Sequence, residues 1–327
     1  MRILVTGGAG YIGSIVCEQL IEASHQVVVL DDLSQGHRGA LTESAAFVQG
    51  DIGDRQGVRD LLRSHGIEAV MHFAALTVVE RSVTEPAAFF RENVAKALVL
   101  LDTMLECGVQ RLVFSSTAAV YGEPQQIPIT ESHPEIPINA YGESKLMFEK
   151  ILRWYHRAYG LKYVAVRYFN AAGASRRLGE DHSPESHLIP IVLDAARGNR
   201  PHVAIYGSDY PTPDGTCLRD FVHVQDIGSA HLRALERIDG IGHGVFNLGT
   251  GVGHSVLQVI ETARRVTGRD ISVVRGPRRI GDPAVLVASP ERAVSQLGWR
   301  IAQAELDEII GSAWAWMQAH PEGYATR

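Results

Sequence analysis

Tyr141 and Lys145 are the residues whose types and spacing most directly suggest chemistry, because they stand four positions apart in Tyr141-Gly142-Glu143-Ser144-Lys145. In a helix, residues four apart lie on one face, so the phenol and the ammonium would be neighbours. A phenol has a pKa near 10, and its use as a base at neutral pH requires a depression of about three units, or roughly 4 kcal/mol. A neighbouring ammonium, helped by a cationic cofactor, supplies that bias. The same spacing also fits a solvated surface pair. The surrounding elements must therefore show whether Tyr141 and Lys145 lie at a catalytic site.

A strand, a glycine loop and a helix open the chain in the order that a dinucleotide-binding unit requires. Residues 2–6 are an apolar run, residues 7–13 read Gly-Gly-Ala-Gly-Tyr-Ile-Gly, and residues 14–23 show a helical pattern. Glycines let the backbone approach a pyrophosphate, whose charge the helix N-terminus then holds. A second strand, residues 27–30, ends at Asp31, where a carboxylate would bond both ribose hydroxyls and repel a 2′-phosphate. We therefore expect NAD rather than NADP.

Three further predicted strands end in residues that suit a cofactor site. Residues 46–50 lead to Asp51-Ile52, residues 69–73 lead to Ala74-Ala75-Leu76, and residues 111–114 lead to Ser115-Ser116-Thr117. The alternation of strands and helices predicts an α/β fold with a right-handed, doubly wound parallel Rossmann sheet. Ligands in such folds lie beyond the carboxyl ends of the strands, which is where all of these residues fall. The segment carrying Tyr141 and Lys145 follows the last of these strands.

The character of the chain changes after Asn170. Residues 171–186 are rich in small, charged and turn-forming residues, which indicates a loop that leaves the sheet. We expect an NAD-binding domain over residues 1–170, with a return to its sheet at about 221–250. A smaller C-terminal α/β substrate domain is expected over residues 171–327.

Composition excludes several classes of protein. The net charge of -6 argues against nucleic acid or an acidic membrane surface as a partner. No stretch approaches the roughly 18 uninterrupted apolar residues of a membrane span. Cys17, Cys107 and Cys217 lack metal-like spacing and read as isolated, reduced thiols. We expect a cytoplasmic protein without a charged leader and without a metal site.

Taken together, the motifs resemble the extended short-chain dehydrogenase/reductases, and the resemblance covers essentially the whole chain. The N-terminal motifs are Thr-Gly-Gly-Ala-Gly-Tyr-Ile-Gly at 6–13, Asp31-Asp32-Leu33-Ser34, Ser115-Ser116-Thr117-Ala118-Ala119-Val120-Tyr121-Gly122, and Tyr141 with Lys145. The C-terminal motifs are Ser186-His187-Leu188-Ile189-Pro190, Tyr210-Pro211-Thr212, Leu218-Arg219-Asp220-Phe221-Val222-His223-Val224 and Arg279-Ile280-Gly281-Asp282. The C-terminal group is similar to the UDP-hexose 4-epimerases within that family.

The resemblance implies a tightly held NAD and a reversible oxidation at sugar C4 that interconverts UDP-glucose and UDP-galactose. Tyr141 would be the base, biased by Lys145, with Thr117 passing the proton. The implied cofactor-binding residues are Gly7, Gly10, Tyr11, Ile12, Gly13, Asp31, Asp32, Leu33, Ser34, Asp51, Ile52, Phe73, Ala74, Ala75, Leu76, Asn93, Ser115, Tyr141, Lys145, Tyr168 and Phe169. The implied substrate-binding residues are Thr117, Tyr141, Asn170, His187, Leu188, Ala204, Tyr206, Arg219, Arg279, Asp282 and Leu286.

Some positions depart from the family pattern. Thr77 stands where a lysine is expected, which removes a positive charge near the cofactor or sugar phosphate. Glu80-Arg81 replaces a usual Gly-Glu pair. Leu286 stands where some members have an aromatic residue beside the hexose, and a smaller side chain there suggests room for an N-acetyl group. UDP-N-acetylhexosamines are therefore expected as additional substrates.

Other activities of the same fold remain as alternatives. A 4,6-dehydratase would have an Asp-Glu pair after Thr117, but Ala118-Ala119 offers no acid and base for elimination. A UDP-N-acetylglucosamine or UDP-pentose 4-epimerase differs only in its sugar, and a non-catalytic NAD-binding regulator would need no Tyr141. The resemblance also implies a homodimer formed through residues 88–106 and 140–159. Apolar residues on these helices fit burial within one chain equally well.

Overall fold

Strands and helices alternate along this computed structural model, which describes residues 1–279 and 282–324. The strands, in chain order, are β1 (Arg2–Thr6), β2 (Gln26–Asp31), β3 (Ala46–Gln49), β4 (Ala69–His72), β5 (Arg111–Thr117), β6 (Lys162–Tyr168), β7 (Asn170–Ala172), β8 (Val203–Tyr206), β9 (Leu218–Arg219), β10 (Phe221–His223), β11 (His243–Leu248), β12 (His254–Ser255), β13 (Val273–Gly276) and β14 (Val285–Leu286). The helices are α1 (Tyr11–Glu22), α2 (Arg55–Ser64), α3 (Val79–Thr84), α4 (Pro86–Phe90), α5 (Lys96–Glu106), α6 (Ala140–Tyr159), α7 (Leu188–Ala196), α8 (Val224–Ile241), α9 (Val256–Thr267) and α10 (Leu306–Ala319). Short 3₁₀ turns lie at Arg38–Ala40 and Ala118–Val120, and π-helical turns lie at Arg91–Ala95 and Ala293–Leu297.

Seven parallel strands form the central sheet in the order β11-β6-β5-β4-β1-β2-β3. Strand β1 pairs with β2 on one side and with β4 on the other. The chain therefore winds outward in opposite directions from the β1/β4 junction, and a crevice opens beyond the carboxyl ends of these two strands. The predicted doubly wound parallel sheet is confirmed.

Alternate residues of β1 pack against opposite helix layers. Ile3 and Val5 are fully buried in an apolar cluster that includes residues of α1 and α8. Leu4 packs on the other face with Leu100 of α5 and Phe148 of α6. A strand that is buried on both faces must be apolar at successive positions, which explains the continuous apolar run near the N-terminus.

The helix predicted over residues 88–106 starts earlier and is interrupted. Pro86 occupies the first turn of α4, where its missing N–H costs nothing. A π-helical turn over Arg91–Ala95 then separates α4 from α5. This turn shifts the phase of the helix by one residue, and Asn93 within it is buried. A periodic apolar pattern cannot reveal such a local shift.

The residues after Asn170 build a smaller α/β region around a separate apolar cluster. Val192 of α7, Val259 of α9 and Ile310 of α10 meet in that cluster, beside the parallel pair β8 and β13. Strand β9 pairs with β12 and β14, and β10 pairs with β7. Strand β11 joins the central sheet beside β6. The domain boundaries at residues 170 and 171 stay a prediction.

Across residues 1–279 and 282–324, the structure contains no helix that combines the length and the apolar character needed to cross a membrane.

Candidate active site

A cavity of about 370 Å³ opens at the carboxyl ends of β1 and β4. Its wall contains most of the predicted cofactor residues: Gly7, Gly10, Tyr11, Ile12, Gly13, Asp31, Asp32, Ser34, Asp51, Ile52, Phe73, Ala74, Ala75, Leu76, Ser115, Tyr168 and Phe169. From the predicted catalytic and substrate residues, the wall contains Thr117, Tyr141, Asn170 and His187. The predicted residues that do not line it are Leu33, Asn93, Lys145, Leu188, Ala204, Tyr206, Arg219, Arg279, Asp282 and Leu286.

Gly7 and Gly13 form a cradle that no larger residue could form. Gly7 has a φ of +72°, and a Cβ atom there would lie 2.5 Å from the backbone nitrogen of Ala74. A Cβ atom on Gly13 would lie 2.3 Å from the carbonyl oxygen of Gly7. Helix α1 begins directly after Gly10, so its unpaired N–H groups lie at this cradle. The arrangement suits a pyrophosphate.

Asp31 ends β2 with a buried carboxylate at the cavity wall. Its Oδ2 accepts the Ala9 N–H at 3.0 Å and its Oδ1 accepts the Leu33 N–H at 2.8 Å. Burial raises the pKa of the Asp31 carboxyl, whereas the two backbone donors oppose that change. Each carboxylate oxygen has a second lone pair, which leaves acceptor capacity for ribose hydroxyls.

Lys96 meets Asp51 at the far end of the cavity, and sequence reasoning did not find it. Its ammonium donates to Asp51 and also pairs with Glu92, while the Gly53 N–H donates to Asp51 Oδ1 at 2.7 Å. Lys96 and Glu92 both line the cavity. The spacing of four residues between Glu92 and Lys96 was the available signal, but it is typical of any surface ion pair.

Helix α6 places Tyr141 in its first turn. The side chain of Asn139 caps this helix by accepting the Gly142 N–H at 2.8 Å. Tyr141 is 7% exposed and shares the cavity wall with Thr117. Lys145 lies one turn further along α6, where its Nζ donates to the Ser115 carbonyl oxygen at 3.0 Å. The sheet thereby holds the ammonium behind the cavity wall.

Burial shifts the pKa values of both members of this pair. Burial raises the pKa of Tyr141 above its ordinary value, Tyr168 adds to the rise, and a hydrogen bond with Thr117 opposes it. Burial lowers the pKa of Lys145 to about 7, against the attraction of Glu149. Desolvation penalises the charged form of each group, so the protein groups alone favour the neutral phenol and weaken the positive charge of Lys145. A phenolate at Tyr141 needs a further positive charge in the cavity.

Two predicted guanidinium groups lie in the smaller region. Arg219 donates to the Leu218 carbonyl oxygen at 2.7 Å and forms an ion pair with Asp282. The guanidinium of Arg279 lies 4.1 Å from the centre of the Tyr206 ring and 3.6 Å from the Glu80 carboxylate. Residues 280 and 281, which lie between Arg279 and Asp282 in their motif, are outside the described part of the chain.

Leu286 lies near the cavity without forming its wall. It packs against an apolar cluster that contains Val120 and Leu146. Phe169 packs against the same cluster and also lines the cavity, which links Leu286 to it. The other two predicted apolar contacts, Leu188 at the start of α7 and Ala204 on β8, are half-buried.

Further wall residues escaped sequence reasoning. They are Leu30, Gln35, Gly36, Gly50, Val79, Glu92, Lys96, Ala171, Glu180 and His182. Thr77, noted above for its departure from the family pattern, also lines the wall. Most of these flank a predicted motif, so a wider window around each strand end would have included them. Glu180 and His182 belong to the loop after β7, where the sequence shows no periodic pattern.

The glycine cradle, the acid at the end of β2 and the tyrosine over the sheet define an enzyme of the dinucleotide-binding α/β class. The chain belongs to the NAD dependent epimerase/dehydratase family, whose family model matches residues 3–249. It is similar to the UDP-glucose 4-epimerase of Halalkalibacterium halodurans, with 53% identity over 100% of this chain and 98% of that protein.

Solved structures agree with this assignment. A crystal structure of UDP-glucose 4-epimerase superimposes with a TM-score of 0.97 at 46% identity, covering 100% of both chains. The UDP-glucose 4-epimerase of Bifidobacterium longum, solved in complex with NAD+ and UDP, gives a TM-score of 0.94 at 36% identity, covering 99% of this chain and 100% of that one. The resemblance to the 4-epimerases found in the sequence is confirmed.

Proposed function

We propose that this protein interconverts UDP-glucose and UDP-galactose by transient, NAD-dependent oxidation at sugar C4. The observation that supports this most strongly is the shared wall: the hydroxyls of Thr117 and Tyr141 line the same cavity as the glycine cradle. The residues after Thr117 are Ala118 and Ala119, which offer no acid or base for eliminating water. A reversible oxidation is the chemistry that this set of groups supports.

Three parts of the cavity suit parts of NAD. The cradle at Gly7 and Gly13 suits the pyrophosphate, Asp31 suits the ribose hydroxyls, and Asp51 with Ile52 suits the adenine. NAD, when bound, supplies a hydride acceptor that returns the hydride to C4. Asp31 would repel a 2′-phosphate, which favours NAD over NADP.

Tyr141 takes the proton of the C4 hydroxyl in this proposal. Thr117 shares the cavity wall with the phenol and offers a hydroxyl through which the proton passes. The positive charge required for a phenolate comes from the oxidised cofactor together with Lys145. Opposite charges stabilise each other, so a phenolate at Tyr141 favours the charged form of Lys145 one turn away.

Arg219 and Arg279 bind the substrate diphosphate in this proposal. A guanidinium fork matches two phosphate oxygens at once, which a lysine cannot do. The ion pair with Asp282 positions Arg219, and Arg279 must exchange its contact with Glu80 for a phosphate. The uridine would then be framed by His187, Leu188, Ala204 and Tyr206, with Asn170 beside the diphosphate or the sugar.

A homodimer is part of the proposal. Helix α6 exposes Met147, Trp154 and Tyr159, and Trp154 is 66% exposed. Large exposed apolar groups on one helix are typical of an interaction surface. Pairing of α6 and the adjoining α5 with a second copy would cover them, and sedimentation of the purified protein tests this directly.

Turnover of UDP-galactose by the purified protein without added NAD tests the activity. The expected result is UDP-glucose as the product, together with NAD released when the protein is denatured. A panel containing UDP-N-acetylglucosamine and a UDP-pentose separates the three epimerase alternatives. Release of NAD without turnover of any sugar would instead favour the non-catalytic regulator.

A further inference from the structure

A cluster of two imidazoles and two carboxylates lies in the loop between β7 and α7. Its members, which we call the Glu/His cluster, are Glu180, His182, Glu185 and His187. One ligand atom of each residue lies within 4.8 Å of the ligand atoms of the other three. Three of the four residues line the cavity described above, next to Tyr11. Of these four residues, the proposed reaction uses only His187, beside the uridine.

Glu180 is the centre of this cluster. Its Oε1 lies 3.0 Å from Nδ1 of His182 and 2.6 Å from Nδ1 of His187. Nδ1 of His187 also lies 3.1 Å from Oε1 of Glu185. In a tetrahedral zinc site with bonds of about 2.0–2.1 Å, neighbouring ligand atoms are about 3.4 Å apart. Movements of less than about 1 Å along these three separations would bring the atoms to the spacing of a metal site.

The two carboxylates of the cluster are buried and therefore need positive charge beside them. The side chains of Glu180 and Glu185 are only 6% and 10% exposed, and a buried carboxylate is costly unless a cation compensates it. The imidazoles of His182 and His187 lie directly beside these carboxylates. A divalent ion held between them would supply two positive charges and balance the two carboxylates.

The donor types select the kind of ion. Imidazole nitrogen together with carboxylate oxygen suits zinc and its neighbours in the first transition row. Magnesium and calcium prefer sites made of oxygen ligands alone. An imidazole nitrogen binds a metal only without a proton, so metal affinity depends on pH.

From this geometry we propose that the Glu/His cluster binds one divalent transition-metal ion, such as Zn²⁺. The ion would join Glu180 and His182 to Glu185 and His187 across the intervening turn, and would hold this loop against the cavity. This proposal does not depend on the proposed function, because metal binding can be measured without any enzyme turnover.

Cobalt(II) is the probe for this site because its visible absorption reports the ligands around it. The full-length protein, freed of metal with a chelator, is titrated with Co²⁺ at about pH 8, where protons compete less for imidazole. We expect one equivalent of Co²⁺ to bind per chain, with absorption bands of a four- or five-coordinate ion. Zn²⁺ added afterwards should bleach these bands.

His182→Ala removes one ligand from a partly exposed position and should weaken Co²⁺ binding by at least about tenfold, since loss of even an outer-shell partner costs that much. Glu180→Gln removes the central ligand with little change of shape and should have at least the same effect. His202→Ala, at an exposed histidine outside the cluster, should bind Co²⁺ as the unchanged protein does.

The absence of stoichiometric Co²⁺ bands from the unchanged protein overturns the proposal, and so does unaltered Co²⁺ affinity in both cluster variants. Circular dichroism of each variant shows whether it is folded. If Glu180→Gln is unfolded, the comparison of His182→Ala with His202→Ala still decides the outcome.

Discussion

Asn93 and Leu76 exchange two hydrogen bonds at the edge of the cofactor cavity. Leu76 donates its N–H to Asn93 Oδ1 at 2.8 Å, and Asn93 Nδ2 donates to the Leu76 carbonyl oxygen at 3.0 Å. The same Nδ2 donates to the Ser144 hydroxyl at 3.0 Å, and Ser144 bonds the Tyr141 carbonyl oxygen at 2.7 Å. One buried amide thus ties the loop after β4 to the helix that carries Tyr141. Asn93 was predicted as a cofactor contact, but the structure places its amide behind the wall.

Asn93→Ala should therefore loosen the site without removing any group from it. Three hydrogen bonds are lost and their partners are left unpaired, so we expect a decrease of about 1–3 kcal/mol in the free energy of unfolding. The amount of NAD that copurifies should decrease with it. Urea unfolding and the absorbance of released nucleotide measure the two effects. Gln56→Ala, at an exposed position on α2, is the matched control.

Tyr141→Phe tests the proposed base. Removal of one general acid–base group should lower kcat by about 10²–10⁴-fold. The phenol ring is buried but its hydroxyl contributes little to packing, so the melting temperature and the bound NAD should change little. Wild-type turnover in this variant would rule out the mechanism.

Arg219→Lys tests recognition of the diphosphate. A lysine keeps the charge but loses the fork that bonds two oxygens, and a charged hydrogen bond is worth about 1.5–3 kcal/mol. We expect KM for the UDP-sugar to rise about tenfold or more with a smaller change in kcat. Steady-state kinetics measure both constants. Arg176→Lys, at an exposed surface position, should change neither.

Leu286→Tyr tests the room beside the hexose. The unchanged enzyme should epimerise UDP-N-acetylglucosamine at a rate comparable with UDP-glucose, because leucine is smaller than an aromatic residue at this position would be. The tyrosine variant should lose the acetylated substrate selectively and keep UDP-glucose. Failure of the unchanged enzyme to turn over the acetylated sugar would reject the idea.

His231 provides a prediction on pH. It is buried beside Phe73, and its Nε2 has no hydrogen-bond partner among residues 1–279 and 282–324. Burial lowers its pKa to about 4, against a hydrogen bond with the Ile227 carbonyl. An unfolded histidine titrates near 6.5, so the unfolded chain binds a proton that the folded chain does not. Stability is therefore lost as the pH falls from about 6.5 towards 4 and is unaffected above that range.

His231→Leu should remove this loss. Below about pH 6.5, the free energy of unfolding should fall less steeply with decreasing pH in the variant than in the unchanged protein. The two slopes should differ by at most about 1.4 kcal/mol per pH unit. Urea unfolding at several pH values measures the slope. His202→Leu, at an exposed histidine, should leave the slope as it is, and an equal slope in both variants would contradict the prediction.

Much of the cavity wall was predictable because its signals are local. The glycines at 7–13, Asp31 and the residues that end β4 and β5 follow their strands directly, so the parallel sheet alone brings them to one edge. The pair Tyr141 and Lys145 could be named for the same reason. Their protonation could not be predicted, since it depends on how deeply α6 is buried against β5.

The sequence by itself determined the fold class and which residues follow the end of each strand. It also showed that no acid and base for elimination follow Thr117. Each of these features depends on neighbours in the chain. Only the tertiary structure decided where the amide of Asn93 is engaged, that Lys96 meets Asp51, and that Glu180 draws two histidines together. These contacts join residues from separate elements or from an irregular loop. They follow from packing and from the charges that packing encloses, which no local pattern records.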